Sequence, residues 1–250
     1  MSSRVRYLHC FSFLFNYASW SEALLTGTLM LFIPVVGPLI IHGWGVAVMH
    51  RRIRGEEGLP NFFDMGELIV AGLKPFLVSM AVGVPLSLVA IAVGVFAALG
   101  AEQMWEPLLT WADAEAWHQI AILLAGLALL AIVFTFLLGV ATWLQVMRLR
   151  VEVTGRFGSA FELAGVWSMF RALGGRLALG TLILGAVGPV VYTLGVMLLL
   201  IGSYPATTLV SLSWSELRTQ LYRAWLAEGH APLADTSFLD GQTLMLGPEV

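Results

Sequence analysis

Four stretches of the chain contain no Asp, Glu, Lys or Arg, and each is long enough to cross a lipid bilayer as a helix. A helical crossing of the hydrocarbon core, which is about 30 Å thick, takes about 20 apolar residues. The stretches run over residues 23–48, 75–99, 120–145 and 177–201. Of the 250 residues 58% are hydrophobic, more than a soluble core of this size could bury. The pattern predicts an all-α, polytopic membrane helix bundle with about four transmembrane helices and additional interfacial amphipathic helices.

Of the three segments that connect the apolar stretches, two contain basic residues. Arg51, Arg52, Arg54 and Lys74 occupy the first, and Arg148, Arg150, Arg156, Arg171 and Arg176 occupy or border the second. The acidic segment between them has no Lys or Arg. Because basic loops stay on the cytosolic side, we expect both basic segments to face the cytosol. A net charge of -3 gives no reason to expect a nucleic-acid partner.

These patterns divide the chain into six segments. We expect an N-terminal interfacial helix over residues 1–22 and a first membrane repeat over 23–99. An acidic, outward-facing loop is expected over 100–119, and a second membrane repeat over 120–201. An amphipathic helix over 202–226 and an extended tail over 227–250 complete the chain.

The first apolar stretch contains Pro34 and Pro38 near its middle. Each proline removes a helical hydrogen-bond donor. The stretch is therefore either one kinked crossing or two half-helices that form a re-entrant hairpin. The single kinked crossing is slightly favoured, although it would leave Arg4 and Arg6 outside, against the charge rule.

A weak internal repeat links the two halves. The motif WGVAVMHRRIRG followed by ELIVAG returns about 95 residues later as WLQVMRLRVEVTG followed by ELAG. Each copy would consist of a descending span, a basic corner, a short amphipathic surface helix (residues 64–72 and 159–170) and a rising span. Parallel repeats of this kind occur in transporters, and equally in proteins that only assemble.

His42 is the one ionisable side chain well inside an expected span, and intramembrane ionisable residues are functional candidates. It could ligate the metal of a haem or chlorin cofactor, or donate a hydrogen bond to the carbonyl freed by Pro38. The structural hydrogen bond is the favoured interpretation. The sequence requires no cofactor and predicts no metal site.

Two further sets of residues are candidates for binding or packing. The cluster His50, Arg51, Arg52 and Arg54 could hold anionic lipid headgroups, and it could equally serve only to fix topology. Ala90, Gly94 and Ala98 recur every four residues, a spacing that lets another helix approach closely. No hydrolase, phosphate-loop or zinc-protease motif occurs, so we predict no catalytic residues and no enzymatic activity.

The region from 33 to 74 resembles a bacterial and archaeal integral membrane family known only as a domain of unknown function, number four thousand and thirteen. The resemblance covers about residues 24–225 and is strongest at 37–43, 52–55, Pro60 and 67–74. The family commonly has glycine-tyrosine where this chain has Gly43 and Trp44. The resemblance implies the fold and a multi-pass protein of the prokaryotic plasma membrane, with no assigned activity.

Two classes of function fit the sequence. The first is a non-catalytic accessory or scaffold subunit of a larger membrane complex, with lipids and other membrane subunits as partners. The second is a small transporter or channel built on the two parallel repeats.

Overall fold

The computed structural model describes residues 5–56, 58–60, 64–110, 116–198 and 202–233, although many side chains between 86 and 130 lie outside that description. Every regular element within these ranges is helical. The helices are α1 (His9–Ser12), α2 (Trp20–Met30), α3 (Val36–Arg54), α4 (Met65–Thr110), α5 (Ala116–Thr154), α6 (Leu163–Met197) and α7 (Ser203–Ala227). Short 3-10 helices cover Phe13–Asn16 and Phe157–Phe161.

Three of these helices, in the part of the chain that is described, are long and apolar enough to cross a membrane. The segments are Met65–Pro85 of α4, Gly126–Thr154 of α5 and Leu163–Met197 of α6. Their outer surfaces are apolar and exposed: seven consecutive residues of α5, 131–137, are all exposed. Such a surface suits hydrocarbon rather than water, because a water-facing helix keeps a polar side.

The expectation of one kinked helix over the first apolar stretch is wrong. Helix α2 ends at Met30 and α3 begins at Val36, and the two fold back on each other, so that Ile41 packs against Gly27. The reversal is a γ-turn at Val35, with φ of 66° and a 2.7 Å hydrogen bond from the Val36 amide to the Pro34 carbonyl. Because Pro34 has no N–H and Val35 leaves the helical region, the helix cannot continue.

Glycines set the closest approaches between helices. Helices α3 and α4 run antiparallel, and a side chain at Gly43 or Gly72 would collide with the backbone of the opposite helix, at Leu68 and Leu39 respectively. Helices α6 and α7 are also antiparallel, since Gly180 faces Leu217 while Gly195 faces Gly202. Small residues therefore allow backbone-to-backbone packing along both seams.

Helix α7 is the centre of the bundle and packs against α1, α2, α3 and α6. Its expected apolar stripe is confirmed in part, because Leu217 and Leu221 are fully buried and Trp225 nearly so. Its polar side is buried too: Glu216 and Arg218 are 1% and 2% exposed. The expectation of an interfacial amphipathic helix over residues 202–226 is therefore corrected, because the polar side of α7 is buried as well.

The expected surface helices and acidic loop are also corrected. Residues from Met65 onward form the beginning of the long helix α4 and are not a separate helix, and those from Leu163 onward begin α6. The segment 100–119 is helical wherever it is described, since α4 continues to Thr110 and α5 starts at Ala116. Pro75 and Pro107 do not end α4, and Pro189 does not end α6.

The N-terminal segment packs on α7. Its described residues before α2 form α1 and one 3-10 helix, and the chain becomes extended at Tyr17. Cys10, Phe13 and Leu14 are buried against the bundle, whereas Phe15 is 47% exposed. Part of the N-terminal segment therefore packs against the other helices of the chain, whereas the whole segment was expected to lie at the membrane interface.

Candidate functional site

The most unusual feature of the bundle is a set of buried charges around α7. Glu152 of α5 accepts a 2.6 Å hydrogen bond from Arg218 Nε, and both side chains are at most 3% exposed. Glu216, two residues before Arg218 on α7, accepts a 2.6 Å hydrogen bond from Arg52 Nη1 of α3. Two ion pairs of opposite polarity therefore join α7 to α3 and to α5.

The two ion pairs follow the internal repeat. Arg52 and Glu152 each lie three residues before a left-handed glycine, Gly55 with φ of 79° and Gly155 with φ of 63°. The equivalent corners of the two repeats thus present opposite charges to neighbouring positions of α7. This complementarity fixes which repeat each face of α7 contacts.

Both pairs are supported by further hydrogen bonds. Arg218 also donates to Gln145 Oε1 and to Ser215 Oγ, each at 3.3 Å. Gln220 donates to Glu216 at 2.9 Å and accepts from the Arg6 amide at 2.7 Å. Buried charges are tolerated when paired and hydrogen-bonded in this way.

His50 and His42 reach the same region from α3. His50 Nε2 lies 2.6 Å from the Glu152 carbonyl, which can only accept, so this ring nitrogen donates. His42 Nδ1 lies 3.3 Å from Arg148 Nη2, and here the ring nitrogen accepts from the guanidinium. His42 therefore makes a structural hydrogen bond, although its partner is Arg148 and not the carbonyl freed by Pro38. Cofactor binding at His42 stays a prediction.

The Arg148 side chain connects two levels along the axis of the bundle. His42 precedes His50 by eight residues, about 12 Å along α3, whereas Arg148 precedes Glu152 by four residues, about 6 Å along α5. The long Arg148 side chain spans the difference between these two lengths. Its Nε atom is buried and has no hydrogen-bond partner among the described residues.

The basic cluster expected to hold lipid headgroups is largely engaged within the chain. His50 is 6% exposed, Arg52 binds Glu216, and Arg51 and Arg54 both contact Glu56. Partial exposure of the three arginines leaves headgroup binding a prediction. Arg150 of the second corner is held likewise, by Glu162 at 2.6 Å and by the Ser159 carbonyl at 2.9 Å.

A cavity of about 280 Å³ opens beside the network, between α3, α4 and the end of α5. Its walls are mostly apolar, with His50, Glu67, Lys74 and Glu152 as the ionisable residues. Lys74 Nζ donates to the Gly155 carbonyl at 2.6 Å. Among the described residues there is no cluster of three or more metal-ligating side chains.

The remaining packing residues were only partly found from the sequence. Ala90, Gly94 and Ala98 belong to α4, but their side chains lie outside the described part of the structure. The glycines that make contacts, such as Gly43 and Gly180, follow no four-residue spacing. The ion pairs could have been found from the matched positions of Arg52 and Glu152 before Gly55 and Gly155, together with the Glu-x-Arg sequence at 216–218.

Comparisons with known proteins identify the family. No curated protein and no solved structure is significantly similar to the chain. The family described as "Protein of unknown function (DUF4013)" matches residues 26–200, which include α3 to α6 and both basic corners. Because this match covers well over half of the 250 residues, the chain belongs to the DUF4013 family.

Proposed function

We propose that the protein is a multi-pass protein of a prokaryotic plasma membrane and serves there as a non-catalytic accessory or scaffold subunit. The observation that carries this proposal is the contrast between its interior and its surface. Two buried ion pairs, Arg52–Glu216 and Arg218–Glu152, are formed within the chain, whereas every residue of α5 over 131–137 is exposed and all but Thr135 are apolar. A helix exposed on every side in the bilayer contacts lipid or other membrane helices, and nothing else.

The positions of the basic residues support a cytosolic location for one end of the bundle. Arg52, Lys74 and Arg218 all make contacts there, and Arg176 binds Glu228 just beyond the end of α7. Arg6 belongs to the same end, because its amide donates to Gln220. The hairpin of α2 and α3 thus brings the N-terminus to the basic side, in agreement with the charge rule.

The long helices α4 and α5 support an assembly role. With 46 and 39 residues they measure about 69 Å and 58 Å, whereas a bilayer with its headgroups is about 40–45 Å thick. If their basic ends lie at the cytosolic surface, the opposite end of this hairpin projects beyond the membrane. The end of α4 carries Glu102, Trp105 and Glu106, and the start of α5 carries Trp117. Tryptophan is common in protein interfaces.

Site-specific photocrosslinking tests the proposal. A photoreactive amino acid at the exposed Phe134 should give a crosslinked product of one discrete larger mass in native membranes, and mass spectrometry would identify the partner. The matched control is the same substitution at the buried Val151, which should crosslink only within the chain. Products containing only lipid at Phe134, Phe136 and Leu124 would contradict the assembly role.

A transporter or channel is the second candidate, and Arg148 is the observation that favours it. An arginine inside a membrane-crossing helix, with a bare Nε beside His42, is a typical element of an anion path. The position of α7 in the centre of the bundle speaks against an open path. Anion flux into liposomes containing the purified chain alone, lost in Arg148→Gln, would favour transport over the accessory role.

A further inference from the structure

The cavity between α3, α4 and α5 contains charged groups that the ion-pair network does not use. The Glu152 carboxylate is bound by Arg218, and His50 is bound to the Glu152 carbonyl. Among the described residues, Lys74 donates to the Gly155 carbonyl alone, and no carboxylate of these residues lies within ion-pair distance of it. An ammonium group has three donors, so Lys74 retains donors for a ligand.

The walls of the cavity complement that charge with apolar surface. Val46 of α3, Val70 and Ala71 of α4, and Val151 of α5 line it. The exposed Glu67, seven residues before Lys74 on α4, lies on its rim, about 10 Å away along the helix axis. The cavity therefore contains the Lys74 ammonium group, with the Glu67 carboxylate nearer to the solvent. The apolar wall beside them suits a hydrocarbon chain.

We propose that this cavity binds a phospholipid whose phosphate pairs with Lys74, whose acyl chain lies against Val70 and Val151, and whose headgroup amine contacts Glu67. A zwitterionic phosphoethanolamine headgroup satisfies both charges, whereas the neutral glycerol of a phosphoglycerol headgroup leaves Glu67 without a cationic partner. The site differs from the arginine cluster at the end of α3, which is paired with carboxylates of the chain. The inference depends on the proposed membrane location, but not on the accessory role.

Native mass spectrometry of the full chain in detergent tests the site. The purified protein is titrated with phosphatidylethanolamine, with phosphatidylglycerol and with inorganic phosphate, and the apparent affinity of the first adduct is measured. We expect saturable binding of phosphatidylethanolamine, weaker binding of phosphatidylglycerol, and no binding of phosphate alone, because the acyl chain supplies part of the affinity. Phosphate binding as tight as that of the lipids would overturn the lipid assignment.

Variants locate the bound lipid. Lys74→Gln should weaken phosphatidylethanolamine binding about fivefold, while Lys74→Arg should stay within about twofold of the parent. Ala71→Phe should fill the cavity and abolish the first adduct. The matched control Val84→Phe changes an exposed valine of the same helix, outside the cavity, and should have no effect.

Glu67→Gln tests headgroup selection separately. It should remove the preference for phosphatidylethanolamine over phosphatidylglycerol without reducing binding of the latter. Equal lipid binding by Lys74→Gln, Ala71→Phe and the parent would mean that only nonspecific annular lipid is observed, and this would overturn the proposal. Lost lipid binding with intact crosslinking at Phe134 would leave the accessory role unaffected.

Discussion

Val35 combines a β-branched side chain with a backbone conformation that such residues rarely adopt. Among the described residues it is the one other than glycine with a positive φ, and its side chain is 72% exposed. No packing contact therefore explains the choice of valine. The strain is located at the reversal between α2 and α3, which the sequence left as one of two alternatives.

We expect Val35→Gly to stabilise the protein by about 1 kcal/mol. Relief of roughly 1–3 kcal/mol of backbone strain exceeds the cost of about 0.5–1 kcal/mol for the added freedom of the unfolded chain. Thermal unfolding in detergent, followed by a thiol-reactive dye at Cys10, would show a higher midpoint. Val190→Gly, in the exposed part of α6, is the control and should cost about 0.5 kcal/mol. A lower midpoint for Val35→Gly would contradict the strained turn.

Cys10 offers a second prediction at this scale. Burial, with a smaller contribution from the Glu216 carboxylate, raises the pKa of the Cys10 thiol from 9.0 to about 12. At pH 8 the reactive thiolate is therefore about a thousandfold rarer in the folded protein than in the unfolded chain. Alkylation by iodoacetamide should be slow at pH 8 and should accelerate up to about pH 12, whereas the SDS-unfolded chain should level off above pH 9. Equal rates in both states would show that the N-terminal segment does not pack on α7.

At the scale of the helices, the ion pairs on α7 carry the clearest energetic consequence. We expect Arg218→Gln to destabilise the protein by about 3–5 kcal/mol, because Glu152 is left buried and unpaired. The double variant with Glu152→Gln should lose less than either single change, which a double-mutant cycle measures. The control Arg176→Gln breaks the exposed Arg176–Glu228 pair and should cost at most about 1 kcal/mol. Additive losses would argue against a direct pair.

The seam between α3 and α4 gives a matched pair of glycine variants. A Cβ at Gly43 would collide with the Leu68 backbone, whereas nothing lies within 4 Å of a Cβ at Gly83. Gly43→Ala should therefore lower the unfolding midpoint, because two helices must move apart. Gly83→Ala should leave the midpoint unchanged or raise it, since alanine is the better helix former. Equal effects of the two variants would contradict the close packing at Gly43.

The sequence predicted which segments are helical better than it predicted where each helix begins and ends. Hydropathy identified the apolar segments of α4, α5 and α6, because contact with hydrocarbon requires apolar side chains along the whole surface. It could not show that α4 begins near Met65 and passes through Pro75, since a proline in a helix interior commonly kinks or ends the helix. The arginines of the basic corners were recognised from the sequence, but the carboxylates that pair with them were not.

At the scale of the whole molecule, α7 is the most buried helix, although its sequence looks the most typical of a water-exposed helix. Arg218 and Glu216 made α7 resemble a surface helix, because hydropathy treats a charge as exposed. Their partners, Glu152 and Arg52, lie on other helices, 66 and 164 residues away in the chain. Only the folded arrangement brings opposite charges together and makes the burial of α7 favourable. Sequence periodicity could not contain that information.

With the proposed membrane location, we expect α7 to be a further crossing that runs antiparallel to α6. The most direct measurement is labelling of single cysteines with a membrane-impermeant maleimide in intact cells, on a Cys10→Ala background. Met197→Cys, at the end of α6, should be labelled in intact cells, whereas His230→Cys, just beyond α7, should be labelled only after permeabilisation. Labelling of both positions from the same side would contradict a membrane bundle with α7 at its centre.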